Sequence, residues 1–109
     1  MPISFPNDVN GDVLRRMQEH GVDFTQPRHI DFVVAFPSED AAEAFAQEIR
    51  ELGHSISIAR SDCVPELPWD ARIERTMIPS HAEITEFEST LTDLAERFGG
   101  RNDGWGLLT

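Results

Sequence analysis

His29 and Asp31 stand two residues apart in RHIDFVVAF, a spacing that places two side chains on one face of a strand, where a carboxylate can orient an imidazole for acid/base work. No third group or nucleophile accompanies them in the sequence, so the two read as a solvated surface pair. The rival reading joins them with Arg72 as the lining of a cleft for a small molecule or a weak hydrolysis. The other histidines, His20, His54 and His81, stand beside expected helix ends. None has a metal-ligand spacing to another histidine or to Cys63, so no metal is expected. Cys63 is the single cysteine, which excludes an internal disulfide. It lies in SDCVPELP with only Arg60 nearby to favour a thiolate, and reads as structural or incidental. All nine basic residues are arginine, so Schiff-base catalysis, pyridoxal phosphate attachment and a P-loop are excluded. With no Ser-His-Asp pattern and no nucleotide fingerprint, neither enzymatic activity nor a cofactor is expected.

Trp105 has a more specific setting, FGGRNDGWG, between Phe98 and Gly106. Glycine is costly to order and tryptophan is costly to leave in water, so something must receive this ring. In the structural reading Gly99-Gly100 ends a helix, Asp103-Gly104 turns the chain, and the indole folds back to plug a sheet or helix end. In the functional reading the ring is an exposed anchor, and its flanking glycines let another backbone come close. A short chain needs its large rings inside, which favours the structural role. The candidate partner-binding residues are Asp103, Gly104, Trp105 and Gly106, with Glu83 and Glu86 on the last helix.

The elements that position these groups follow from periodicity and caps. Val9, Val13, Leu14 and Met17 recur at helical spacing behind Asn7 and Asp8, and Gly21 closes the segment. Arg28 to Phe36 alternates Ile30, Phe32, Val34 and Phe36 against His29, Asp31, Val33 and Ala35, a strand with one strongly apolar face. Ser38 then caps a helix striped with Ala41, Phe45, Ile49 and Leu52. His54 to Arg60 and Trp69 to Ile78 read as two further strands around a Pro65 to Pro68 loop. Arg75 falls on the apolar face of the second, so either a bulge shifts the register there or its guanidinium reaches an acidic partner. Ser80-His81-Ala82-Glu83 is a capping box before Ile84, Phe87, Leu91, Leu94 and Phe98, the clearest helix in the chain. Asn102-Asp103-Gly104 reads as a turn into one short strand, Trp105 to Leu108.

The order is a helix followed by β-α-β-β-α-β. It predicts an α+β fold: a ferredoxin-like split β-α-β sandwich, in which a four-stranded antiparallel sheet carries its helices on one face and an extra N-terminal helix precedes them. The chain of 109 residues fits one domain, residues 1–109. The face away from the helices is expected to show His29, Asp31, Ser55, Ser57, Asp70, Arg72, Glu74 and Thr76. That face lacks the aromatic platform an RNA-recognition sheet requires.

Twenty acidic residues against nine arginines give a net charge of −11, which disfavours direct nucleic-acid binding and anionic membranes. A protein partner with a basic patch is the class that such a surface attracts. No apolar run spans a bilayer and no secretory leader is evident, so a cytoplasmic location is expected. A homodimer, joined through the open sheet face or an edge strand, is a further expectation.

The helix end AERFGG running into DGWG, preceded by RTMIPSHAEI, resembles the regulator of ribonuclease E activity B family of bacterial proteins. The segment Val13 to Gly21 and the block HIDFVVAFPSEDAAEAFAQEIRELGHSI extend the likeness over most of the chain, with DGWG its most specific element. The resemblance implies a ferredoxin-like sandwich without catalytic activity. It also implies inhibition of ribonuclease E through binding to its non-catalytic scaffold region, with altered messenger RNA turnover. Characterised inhibitors of that family carry a long acidic tail after the DGWG segment, and this sequence ends at Thr109.

Overall fold

Three helices begin at residues that satisfy their first amides. Asp8 accepts from the Gly11 amide at 2.7 Å ahead of α1 (Val9–Glu19), Ser38 from Ala41 at 3.1 Å ahead of α2 (Glu39–Glu51), and Ser80 from Glu83 at 3.2 Å ahead of α3 (His81–Glu96). The strands are β1 (Arg28–Phe36), β2 (Ser55–Arg60), β3 (Trp69–Met77) and β4 (Arg101–Leu107). The computed structural model describes residues 7–22, 24–61 and 65–107; Cys63 and Leu108 lie outside them.

The strands form one antiparallel sheet in the order β2-β3-β1-β4, the arrangement expected of a split β-α-β fold. Ile30, Phe32, Val34 and Phe36 of β1 are fully buried, as the alternation predicts. Both central helices cover that face: Phe87 of α3 meets Phe32 edge-on at 4.7 Å between centroids, and Phe45 of α2 meets Phe36 at 4.9 Å. Leu14 brings α1 into the same core.

Four sequence expectations change in detail. The segment around Asn102-Asp103-Gly104 is not a turn ahead of a strand but a bulge within β4, which already begins at Arg101. Ala35 and Val34 pair with Arg101 and Asn102, and the register then shifts so that Phe32 faces Trp105. Gly104, at φ 104°, supplies the backbone conformation that this bulge needs, and its amide donates to Asn102 Oδ1 at 3.0 Å. Leu52 leaves the stripe of α2: it is the C-cap residue and 56% exposed, while Ala42 and Ala46 are fully buried in that helix. Strand β2 begins at Ser55 rather than His54. Asp31, expected on an exposed face, is buried under Arg72.

One close approach fixes the entry to β4. A methyl group at Gly100 would stand 2.4 Å from Cε1 of the Phe36 ring, so only glycine lets α3 turn into β4 against the core.

Candidate functional site

β4 sets the position of Trp105. Opposite Phe32, its ring faces the helices, where it packs half-buried against the core. Its indole N–H donates to Asn10 Oδ1 of α1 at 2.9 Å. Asn10 Nδ2 donates in turn to Glu88 Oε1 of α3 at 2.7 Å and to Thr85 Oγ1 at 3.1 Å. The second carboxylate oxygen of Glu88 accepts from Asn102 Nδ2 at 3.0 Å. One glutamate thus joins α1 to β4, and the tryptophan closes the ring of contacts. A second tie holds α1 to α3: His81 Nε2 lies 2.8 Å from Asp8 Oδ2. The Gly11 amide first, and then His81, hold the Asp8 carboxyl below its ordinary value of 3.8.

Asn10 and Glu88 are absent from the sequence-derived candidates, although Glu88 left a trace. Ile84, Glu88, Leu91 and Ala95 share one helical face, so a carboxylate interrupts an otherwise apolar stripe, which requires a buried or bridging partner. Asn10, in the first turn of a helix, carried no comparable signal.

Glu83 and Glu86 lie about half a turn away from Glu88 around α3. The structure therefore divides the candidate residues into two patches, with Asp103, Gly104, Trp105 and Gly106 on one side of that helix. On the other, Glu83 and Glu86 are exposed at a hollow of about 290 Å³ that Arg75, Phe87 and Thr90 also line. Arg75 resolves differently from either expectation. The β1–β3 ladder runs in register through it, opposite Ile30, and its guanidinium lies over the Phe87 ring at 4.7 Å from the centroid. The His54 ring meets the same phenyl edge-on at 5.1 Å. Burial, and then the neighbouring Arg75 charge, lower the His54 pKa from its ordinary 6.5.

On the open face of the sheet Asp31 is ion-paired with Arg72, and a ring nitrogen of His29 lies 3.1 Å from Thr76 Oγ1. The two residues of the possible acid/base pair thus each have a different partner. The adjoining hollow, lined by Ser55, Ile56, Ser57, Arg72 and Glu74, measures about 120 Å³. Small-molecule pockets generally start near ~300 Å³. Among the described residues no cluster of three or more histidine, cysteine or carboxylate side chains is arranged to hold a metal. No helix among them is long and apolar enough to cross a membrane.

The family model for regulator of ribonuclease activity B matches residues 7–107, from the residue before the N-cap of α1 to the end of β4. The chain belongs to that family. Comparison with curated proteins finds no match. Membership in the regulator of ribonuclease activity B family implies a role in regulating ribonuclease activity, and the matched region includes both patches beside α3.

Proposed function

We propose that the chain regulates a ribonuclease stoichiometrically and without catalysis, by binding a basic patch on ribonuclease E or a related RNA-processing enzyme in the cytoplasm. The observation that carries this reading is the charge: twenty carboxylates against nine arginines, in a member of a ribonuclease-regulating family. Such a surface speeds encounter with a basic protein and repels nucleic acid and anionic lipid.

The hollow beside α3 is the contact this reading favours. Phe87 already carries one guanidinium, that of Arg75, on its face, and Glu83 and Glu86 stand at its rim. An arginine from a partner finds there two carboxylates for pairing and the edge of an aromatic wall. Asp103, Gly104, Trp105 and Gly106 form the second contact. Asp103 is exposed there, and the half-buried indole is already held by Asn10, so it offers a rigid surface.

The test is titration of the chain into a ribonuclease E cleavage assay, with a pull-down run beside it. Inhibition that saturates at a fixed molar ratio is expected, and Glu83→Gln with Glu86→Gln weakens it on the order of tenfold at low salt. Unchanged nuclease activity, together with a pull-down that recovers no RNA-processing protein, overturns the reading.

A further inference from the structure

The sheet has two edges, and the chain treats them differently. At the β4 edge a bulge at Asp103 and Gly104 breaks the regular ladder, which is one of the ways proteins stop a further strand from adding. The β2 edge has no such device. Ser55 to Arg60 pairs with β3 without a register break, and among the described residues its other side pairs with no strand. Its first five residues, Ser-Ile-Ser-Ile-Ala, contain no charge and no proline, in a chain of which 27% is charged. An acidic protein has left the first five residues of one regular edge strand uncharged.

We propose that β2 is a homodimer interface, where a second copy adds antiparallel across a two-fold axis at Ser57 and the two sheets become one of eight strands. The occupant follows from self-complementarity. In this register Ser57 faces its own copy, and Ile56 faces Ile58 of the other chain. Ile56 pairs with the fully buried Ile73, so the isoleucines lie on the helix side, and both are half-buried against the core. Pairing completes their burial and extends the apolar layer from one copy into the next. The serines meet on the open face, where each is exposed. An arginine-rich peptide would gain no carboxylate from the outward side chains of this strand, because it has none.

The opposing force is the charge of −11 on each copy. Added salt screens that repulsion, so the dimer tightens as salt rises. This dependence has the opposite sign to the binding of a basic partner, so the two readings fail independently.

Sedimentation equilibrium of the full chain at low and high salt reads the mass directly. A concentration-dependent dimer that is favoured by salt is expected. Ser57→Glu places like charges opposite each other and weakens it about fivefold, as does Ser57→Lys, while an equimolar mixture of the two variants restores association. A Ser57→Cys chain, with Cys63→Ser to remove the native thiol, forms a disulfide between copies under mild oxidation. A monomer at every concentration overturns the proposal. So does a dimer that is indifferent to Ser57→Glu and yields no cross-link at position 57, because its interface then lies elsewhere. A monomer whose β2 amides gain exchange protection only on addition of an arginine-rich peptide assigns the edge to the ribonuclease instead.

Discussion

The two edges of the sheet are built from opposite materials. At β4 a strand rich in glycine is held in place by side chains: Trp105 on Asn10, Asn10 on Glu88, Glu88 on Asn102. At β2 a regular strand of alternating serine and isoleucine relies on the β3 ladder and on α2 above it. Glycine contributes no side-chain packing and costs more entropy to order, so an edge that uses it to form a bulge needs tertiary contacts to stay closed. β-branched isoleucine favours the strand locally and needs fewer. The lesson is that one edge is specified by contacts distant in sequence and the other by its own residues.

Substitutions at the two edges should therefore differ in cost, and the largest test is at Trp105. Trp105→Ala removes a half-buried ring and leaves Asn10 Oδ1 without its donor, at a cost of about 3 kcal/mol. In a domain of this size that lowers Tm by more than about 10 °C. The exposed Ser57→Glu at the other edge should change monomer stability by no more than about 0.5 kcal/mol. Equal costs in denaturant melts would break the comparison.

Gly100→Ala comes next. The added methyl overlaps the Phe36 ring, which is fully buried, so either the β4 entry or the core has to shift. A loss of about 2 kcal/mol is expected, and a melt indistinguishable from the parent would show that the approach of α3 to β4 is not constrained there.

Glu88→Gln sharpens the comparison further, since it preserves size while replacing one acceptor oxygen with a donor. The amide cannot accept from both Asn10 and Asn102, so one of these side chains loses its partner. The expected cost is about 1 kcal/mol, and hydrogen exchange should report faster opening of β4 but not of β2.

The smallest effect is the pH response of His54, next to the β2 edge. Its folded pKa is lowered, so the folded state binds fewer protons than the unfolded chain. Stability from this group is complete above the ordinary value of 6.5 and declines as pH falls through 6.5 toward the folded value. Melts at pH 7.5 and 5.5 should differ less in His54→Gln than in the parent. An identical pH dependence in both chains would exclude His54 as its source.

Much of this molecule was legible in the sequence because it is local. The apolar face of β1, the serine caps of α2 and α3, and the stop at Gly99 follow from residues within a few positions of one another, and the element order then leaves few topologies. Arg75 was recognisable as an anomaly on an apolar face, but its resolution was not. A guanidinium can pack on an aromatic face as well as pair with a carboxylate, and only the packing of α3 puts Phe87 within reach. The β4 bulge is not legible locally for a related reason: Asn-Asp-Gly supports a turn or a bulge, and the pairing with β1 decides.

By itself the sequence determined the caps, the periodicities, the absence of lysine chemistry and the sign of the surface, because each depends on residue type and near neighbours. The tertiary structure decided how Trp105 is held. The indole and Asn10 are 95 residues apart, and their hydrogen bond exists because β4 pairs with β1 and α1 packs on α3. Such a contact joins elements at opposite ends of the chain, so no short stretch of sequence encodes it.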